Sequence, residues 1–240
     1  MLTLGYKASA EQFSPSELLR FARLAEELGF DSVFVSDHFQ GWRHSGGHAP
    51  FALSWLGALG ASTSRIVMGT SVLTPTFRYH PSIVAQAFGT LGELFPQRVI
   101  LGIGTGESLN ETPATGMPWP PQAERTARFR EAVDLIKLLW REERVSFEGR
   151  FYRTENATIY DRPKEPVPIY IAAAGPVIAK LAGEQGAGYL HQREKTRTLQ
   201  RNFVAECQCW SDESGARAKR YRSHDQIGRA SCRERVSPYV

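Results

Sequence analysis

The stretch RIVMGTSVLTPTFRYHPSIVAQAFGTLGELFPQRVILGIGTG, residues 65–106, carries the pattern that decides the fold. An apolar, partly β-branched run at 65–73 is followed by apolar residues at helical spacing at 81–94 and by a second apolar run at 98–106. This order predicts a strand, a helix and a second strand. Apolar strands that alternate with helices are typical of a parallel sheet that is covered on both faces.

The same alternation extends in both directions along the chain. We predict the remaining strands at 2–8, 31–38, 168–174 and 187–190, and the remaining helices at 14–29, 50–61, 122–140 and 177–184. Ser14 is the predicted N-cap of the first helix, and Gly29 is its predicted C-cap. Two segments depart from the alternation: residues 110–122 carry four prolines and predict a loop, whereas residues 144–160 alternate around Glu148 and predict a hairpin.

The number of strands limits the choice of α/β architecture. Six βα units are two fewer than a closed (β/α)8 barrel contains. An open doubly wound sheet would carry glycines in its first turn, whereas residues 7–11 read KASAE. The G-x-G-x-G spacing of Gly102, Gly104 and Gly106 does not fit a dinucleotide-binding fingerprint. We therefore predict an α/β protein with an incomplete TIM barrel of about six βα units.

Charge and cysteine content set the end of the chain apart from the rest. Residues 191–240 contain 11 basic and 6 acidic side chains, whereas residues 1–190 contain 18 basic and 19 acidic ones. The net charge of +4 therefore gives no reason to expect a nucleic-acid partner for the main body. All three cysteines lie in the same last segment, without the paired spacing of a zinc site. Because there is no run of 18 apolar residues and no secretory leader, we expect a cytoplasmic protein without a membrane partner.

Polar residues collect at the predicted carboxyl ends of the strands, where (β/α)8 barrels carry their chemistry. Glu11 follows the first strand, and Asp37 and His38 close the second. The polar residues and turns after the later strands are Ser71, Thr74, Thr76, Glu107, Asn110, the turn 173–176 and Lys195. The turn 173–176 begins a helix, where backbone N–H groups can hold an anion. The sequence therefore predicts an active site at this end of the sheet.

Several of these residues also allow a structural interpretation. His38 could be a strand-end histidine that hydrogen-bonds the next loop, Glu107 could cap the following segment, and Trp42 could be a core or lid residue. His38, His44 and His48 could hold a metal ion, but no carboxylate completes the spacing, so we expect no metal. A serine hydrolase is disfavoured because the sequence contains no G-x-S-x-G elbow.

Five segments are similar to motifs of one known family: LGYKASAEQF (4–13), SDHFQGWRHSGGHAPFALSW (36–55), GTSVLTPTFRYHPSIVAQAF (69–88), GIGTGESLNE (102–111) and VPIYIAAAGP (167–176). They closely resemble the F420-dependent glucose-6-phosphate dehydrogenase family, which belongs to the bacterial-luciferase-like superfamily of (β/α)8 barrels. The resemblance runs from about residue 4 to residue 190, and its motifs are long and ungapped. It implies a luciferase-like TIM barrel that is incomplete, with an oxidoreductase domain at residues 1–205.

The resemblance implies a role for each matching residue. His38 would take the hydroxyl proton from C1 of the sugar as a hydride leaves for the deazaflavin, and Glu107 would protonate the reduced cofactor ring. Trp42 matches a tryptophan beside the reacting centre, and Glu11 matches a carboxylate close to the sugar. The positions that match the lining of the cofactor site are Asp37, Ser71, Val72, Thr74, Asn110, Ala173, Ala174 and Gly175. The Ser71–Val72 bond corresponds to a cis peptide in the family.

The implied function is oxidation of a small-molecule substrate, a sugar phosphate similar to glucose 6-phosphate or a related alcohol, with coenzyme F420 as the hydride acceptor. The family holds the sugar phosphate with lysines and an arginine, and only Lys195 aligns with them. Two alternatives stay open: an FMN-dependent luciferase-like monooxygenase, and a truncated fragment that binds a cofactor without catalysis. Family members often dimerise, so the resemblance implies a homodimer for the full-length parent.

The end of the chain departs from the pattern. Residues 225–236 show no apolar periodicity, and residues 227–236 are similar to one reading frame of a sequencing adapter. We therefore expect a C-terminally truncated barrel joined to a non-homologous basic tail at 206–240. We interpret this tail as an artefact rather than a nucleic-acid-binding segment because it lacks interleaved aromatic residues. Since an open barrel exposes sheet edges, we also expect a chain that folds poorly or aggregates.

Overall fold

Eight strands are present in the computed structural model, which describes residues 3–190. They are β1 (Gly5–Ala8), β2 (Ser32–Val35), β3 (Val67–Thr70), β4 (Val99–Ile103), β5 (Val145–Glu148), β6 (Arg153–Ala157), β7 (Ile169–Ala172) and β8 (Gly188–Leu190). All except β5 and β6 form one parallel sheet, in which they lie in chain order, while β5 and β6 pair as a separate antiparallel hairpin. The predicted parallel sheet and the predicted hairpin are confirmed, and the sheet has the strand order of successive (β/α)8 units.

Six helices accompany these strands in the described residues: α1 (Pro15–Glu27), α2 (Ala52–Ser62), α3 (Pro81–Leu94), α4 (Ser108–Thr115), α5 (Gln122–Arg141) and α6 (Pro176–Gln185). All except α4 occupy segments where the sequence predicts a helix. Ser14 caps α1 as predicted, since its hydroxyl accepts the Glu17 N–H while the Glu17 carboxylate accepts the Ser14 N–H. The C-cap is Leu28 rather than the predicted Gly29, which lies one residue beyond it with φ +88°, a conformation that favours glycine. No helix within residues 3–190 is both long enough and apolar enough to cross a membrane.

Helix α4 corrects the loop that the prolines of residues 110–122 predict. Pro113 lies inside this helix and has no N–H to donate to the carbonyl of Leu109, four residues earlier. The side-chain amide of Gln40 donates to that carbonyl instead, at 3.1 Å. The helix then ends at Gly116, which has φ +69° and donates its N–H to the carbonyl of Thr112. A tertiary hydrogen bond thus replaces the local one that proline removes.

The core lies between the sheet and the helices. Leu56, Phe88 and Phe129 on the helices and Leu101 and Ile171 on the strands are fully buried in one apolar cluster. Complete burial of such a side chain stabilises the fold by roughly 1.5–3 kcal/mol. This layer fixes the strands relative to each other, and with them the carboxyl ends that were predicted to carry the site.

The opposite face of the sheet borders a cavity of about 580 Å³ near the amino ends of the strands. Phe34 and Tyr170, which alternate with the helix-facing residues, line it together with the first residues of neighbouring strands, such as Val67 and Val99. None of the predicted site residues lines this cavity. Its position excludes it as the predicted active site, which belongs to the other end of the strands.

The β5–β6 hairpin supports the loop that follows β3. The Glu131 carboxylate on α5 accepts the N–H groups of Phe151 at 2.8 Å and Tyr152 at 2.7 Å. The Tyr152 hydroxyl donates to the carbonyl of Thr76 at 2.9 Å, and burial raises the pKa of this phenol to about 12. The Arg128 guanidinium lies over the Phe151 ring at 4.5 Å. The loop after β3 is therefore held from outside the sheet.

Candidate active site

His38 stands at the carboxyl end of β2, directly beside Glu11 from the end of β1. Its Nδ1 lies 2.7 Å from Oε1 of Glu11, and the two side chains are 18% and 7% exposed. The two atoms are close enough for an ion pair when the ring is protonated, although the contact does not have the geometry of a linear hydrogen bond. The Ser36 hydroxyl donates to the same Glu11 oxygen at 2.5 Å. The parallel register of β1 and β2 brings these three residues together.

Glu11 keeps a negative charge beside the His38 ring. Burial by itself would raise the pKa of Glu11, but its contacts with His38 and Ser36, and the charge of His38, outweigh burial and lower that pKa to about 2. A fixed carboxylate next to an imidazole orients the ring and balances the positive charge that it gains on taking up a proton. The pair has the arrangement of a proton acceptor and its orienting partner.

Trp42 lies on the open side of His38. The two ring centroids are 6.0 Å apart with an angle of 54° between the ring planes, and Trp42 is 50% exposed. This position rules out a core role for Trp42. Its predicted place beside the reacting centre stays a prediction.

Asp37 is buried and hydrogen-bonded by the protein itself. Its carboxylate accepts hydrogen bonds from Arg78 Nη2 at 2.8 Å, from the Tyr79 hydroxyl at 2.7 Å and from the Ala52 N–H at 3.3 Å. Burial and the charge of Asp37 raise the pKa of Tyr79, which therefore remains a donor. The structure thus uses Asp37 to fix the end of β2, and its contact with a cofactor stays a prediction.

Glu107 and Asn110 lie after β4, where glycines shape the backbone. A Cβ on Gly102 would overlap the carbonyl oxygen of Thr70, and Gly106 has φ +84°. The G-x-G-x-G spacing therefore has a packing reason. Glu107 is exposed and occupies the N-cap position of α4, but its side chain makes no capping bond. The Asn110 amide donates to Oε2 of Glu107 at 3.5 Å, so the carboxyl is held without being used as a cap.

Asn110 also holds the backbone next to His38. Its Oδ1 accepts the N–H of Phe39 at 3.1 Å and that of Gln40 at 3.4 Å. One buried amide therefore connects the loop that carries His38 with the carboxyl of Glu107. As for Asp37, the predicted cofactor contact of Asn110 is not tested by these bonds.

The Ser71–Val72 peptide is cis, as the resemblance implies. The ammonium group of Lys7, from inside β1, donates to the carbonyl of Ser71 at 2.6 Å, and the N–H of Asp37 donates to that of Val72 at 3.3 Å. Burial lowers the pKa of Lys7 to about 8, against the opposing charge of Glu11. Both carbonyls of the cis segment are therefore fixed by neighbouring strand ends.

The turn after β7 and the loop after β3 offer room and free polar groups. A Cβ added to Gly175, the N-cap of α6, would have no neighbour within 4 Å, and no side chain caps this helix. The first N–H groups of a helix can hold an anion. Thr76 Oγ1 is buried without a hydrogen-bond partner in the described part of the chain, and Thr74 is buried beside Gly106. These features fit a polar cofactor with an anionic group.

Some predicted residues do not join this arrangement. Lys195 lies outside the described residues. His44 and His48 lie on the loop after β2, and no group of three His, Cys, Asp or Glu side chains within residues 3–190 could hold a metal ion.

Five polar residues of the site were not predicted from the sequence: Lys7, Ser36, Arg78, Tyr79 and Glu111. A lysine inside an apolar strand and an arginine a few residues after a strand end are signals that could have identified two of them. Glu111 carried no signal beyond its place next to Asn110.

The chain is similar to proteins of one family over most of its length. The luciferase-like monooxygenase family model matches residues 2–220. An Intrasporangium calvum protein named F420-dependent glucose-6-phosphate dehydrogenase is 63% identical over 201 residues, covering 83% of this chain and 60% of that protein. A Kineococcus radiotolerans protein of the same name is 64% identical over 189 residues, covering 79% of this chain and 56% of that protein. The chain thus spans no more than 60% of the length of these relatives.

Solved structures show the same fold. An F420-dependent secondary alcohol dehydrogenase, solved with an F420–acetone adduct, superposes with a TM-score of 0.85 at 37% identity, covering 90% of this chain and 66% of that one. The monooxygenase RslO1 from Streptomyces bottropensis superposes with a TM-score of 0.77 at 26% identity, covering 89% of this chain and 67% of that one. The predicted luciferase-like fold and the resemblance to F420-dependent glucose-6-phosphate dehydrogenases are confirmed. The chain belongs to the luciferase-like monooxygenase family.

Proposed function

We propose that this chain carries the F420-binding and proton-transfer residues of a dehydrogenase that oxidises C1 of a sugar phosphate similar to glucose 6-phosphate, or a related alcohol. The observation that carries the proposal is the His38–Glu11 pair, linked through Asn110 to the carboxyl of Glu107 at the same end of the sheet. The names of relatives 63% and 64% identical to the chain favour F420 over FMN.

His38 is the proposed base. Removal of a hydride from an alcohol carbon requires a base within hydrogen-bond reach of the hydroxyl. Since Nδ1 of His38 faces Glu11, Nε2 is the nitrogen left for the substrate hydroxyl. Glu11 keeps the ring in place and balances its charge when the proton arrives, and Trp42 is proposed to border the substrate on the open side.

Glu107 is the proposed proton-carrying carboxyl on the cofactor side. A carboxyl acts as an acid when burial favours its neutral form, and the exposed position of Glu107 allows a ligand to cover it. Coenzyme F420, when bound, supplies the hydride acceptor. The residues proposed to hold it are those predicted from the sequence: Asp37, Ser71, Val72, Thr74, Asn110 and the turn Ala173, Ala174, Gly175.

Phosphate binding, oligomeric state and domain bounds involve residues outside the described range. Lys195 is proposed to bind the substrate phosphate. The full-length parent is proposed to be a cytoplasmic homodimer. In this chain, an oxidoreductase domain is proposed at 1–205, followed by an unrelated tail at 206–240. The family match runs to residue 220, so the boundary at 205 stays a prediction.

A binding titration tests the cofactor assignment. We expect the intrinsic fluorescence of the full chain to respond in a saturable way to coenzyme F420, but not to FMN at the same concentration. Turnover with F420 and glucose 6-phosphate, followed by loss of the F420 absorbance, tests the reaction. Binding of FMN together with oxygen-dependent turnover would overturn the proposal in favour of a monooxygenase.

A further inference from the structure

Arg78 joins the ends of two strands at the proposed site. It follows β3, and its side chain is 9% exposed. Its Nη2 donates to both the carbonyl oxygen of Asp37, at 2.5 Å, and the carboxylate of Asp37, at 2.8 Å. Its Nε donates to the carboxylate of Glu111 on α4 at 3.2 Å. One guanidinium thus links the ends of β2 and β3 with the first turn of α4.

Both linked segments carry groups of the proposed reaction. The carbonyl of Asp37 belongs to the peptide bond that enters His38, so Arg78 holds the backbone on one side of the proposed base. Asn110, the neighbour of Glu111, holds the backbone on the other side through Phe39. The same residue holds the carboxyl of Glu107.

The charges of this cluster depend on the guanidinium. Asp37 and Glu111 are both 2% exposed, and each has Arg78 as its ion-pair partner. Burial would lower the pKa of Arg78, but the two carboxylates raise it. Burial raises the pKa of Glu111, and Arg78 opposes that change. Loss of Arg78 would leave two buried carboxylates without a cation, which is unfavourable for the folded state.

We infer that Arg78 is a positioning residue for the reaction, because it fixes the backbone of His38 relative to the helix that carries Glu107. The inference rests on the proposed function. A planar fork is required, since donors on two different nitrogens serve Asp37 and Glu111 at the same time. A lysine has one nitrogen and restores the charge without restoring the fork.

Two variants of the full chain separate positioning from structural support. Arg78→Lys keeps the charge and loses the fork. The double variant Arg78→Met/Glu111→Gln removes one positive and one negative charge, so the cluster keeps its net charge. Asp37 loses its cation but keeps the Tyr79 hydroxyl and the Ala52 N–H as hydrogen-bond donors. We expect both variants to lose kcat by on the order of 100-fold, as a displaced base would, while KM and the Kd for F420 change little.

A readout without turnover accompanies the kinetics. The imidazole resonance of His38, assigned by its disappearance in His38→Ala, should shift in both Arg78 variants. Arg98→Lys is the matched control: Arg98 also bridges segments, donating to the carbonyls of Ile66 and Thr63 at 3.1 Å each, but at the amino ends of the strands. This control should change neither the His38 resonance nor kcat.

The outcomes are distinct. A double variant that keeps the kcat and the His38 resonance of the unmodified chain, even with a lowered thermal stability, would show that Arg78 does not position His38 and would overturn the inference. If the unmodified chain shows no turnover with F420, the proposed function fails. In that case the His38 resonance alone decides whether Arg78 positions the ring.

Discussion

Charged side chains at the two ends of the sheet have different kinds of partner. At the carboxyl ends, the pairs His38–Glu11, Arg78–Asp37 and Arg78–Glu111 join side chains that are at most 18% exposed. In all three pairs a charged group meets another ionisable side chain. Such pairs contribute little net stability, because the cost of removing charge from water offsets the attraction, but breaking one leaves a buried charge without a partner.

At the amino ends, charged side chains bind the backbone instead. The partly exposed Glu26 carboxylate accepts the N–H groups of Arg65 and Ile66, each at 2.8 Å. Arg98 donates to the carbonyl of Ile66 at 3.1 Å. These contacts fix the start of β3.

The carboxyl ends of the strands thus carry the groups for the proposed reaction, whereas the amino ends carry contacts that stabilise the fold. His38 and Glu11, which would take up and balance a proton, are kept largely buried at one end, while charged side chains at the other end secure chain segments. Substitutions at the carboxyl ends should therefore change reaction rates and pH responses, whereas those at the amino ends should change only stability. The following experiments test this contrast, from the largest expected effect to the smallest.

Removal of the proposed base should give the largest effect. His38→Ala is expected to lower kcat by roughly 100- to 10,000-fold, the usual contribution of a positioned general base, while F420 binding is retained. Steady-state kinetics and the fluorescence titration measure the two effects. Unchanged turnover in this variant would show that His38 is not the base. The carboxyl ends of the strands could then no longer be assigned to catalysis on its account.

The Glu11 carboxylate should make stability depend on acid pH. Its pKa of about 2 in the fold lies below the ordinary value of 4.5, so its stabilising contribution is complete above about pH 4.5 and is lost as the pH falls towards 2. At about 1.4 kcal/mol per pKa unit, the loss is on the order of 3 kcal/mol. Urea unfolding over this pH range should show it in the unmodified chain, and Glu11→Gln should abolish it.

Glu26→Gln at the opposite end is the comparison for Glu11. Burial would raise the pKa of Glu26, but the N–H groups of Arg65 and Ile66 lower it. Its exposure screens these interactions, so its share of the acid response should be smaller. An equal loss in the two variants would contradict the contrast between the ends.

Lys7 should produce an alkaline response of the same sign, with stability again rising as the pH rises. Its pKa of about 8 in the fold is below the ordinary 10.5, so the folded state releases this proton first. Its contribution to the free energy of unfolding should therefore rise with pH between about 8 and 10.5. Lys7→Met should remove this rise in urea unfolding curves, whereas the exposed Lys180→Met should leave it in place.

The hydrogen bond that accommodates Pro113 should have the smallest effect. Gln40→Ala removes the donor to the carbonyl of Leu109 and is expected to cost about 0.5–1 kcal/mol in the free energy of unfolding. In the double variant Gln40→Ala/Pro113→Ala, the new backbone N–H can bond the same carbonyl, so part of the loss should be recovered. If the changes in the free energy of unfolding caused by Gln40→Ala and Pro113→Ala simply add in the double variant, the Gln40 bond does not compensate for the N–H that Pro113 lacks.

Short-range patterns predicted most of the fold. Strand and helix periodicity, the Ser14 cap and the alternation around Glu148 all depend on residues close in sequence, and the structure confirms them. Helix α4 escaped because its prolines predict a loop and the compensating donor, Gln40, is 69 residues away from Leu109.

The site was predictable only in part, for the same reason. The strand ends and the resemblance singled out His38, Glu11 and Glu107, but not what holds them. Arg78 binds Asp37 and Glu111, which are 41 and 33 residues away in the sequence, and no local pattern predicts such a pairing. Charged residues near strand ends can be noticed in a sequence, but which charge meets which follows only from the register of the strands.

The chain-order arrangement of the sheet has a consequence for biosynthesis. Each strand of the sheet lies beside the sheet strand made just before it, so pairing can proceed in step with translation, and the longest connection that it closes runs from β4 to β7 across α4, α5 and the hairpin. The His38–Glu11 pair, Arg78 with its two carboxylate partners, and Glu107 all lie within the first 111 residues. A nascent chain can therefore assemble these contacts before the hairpin and α6 leave the ribosome.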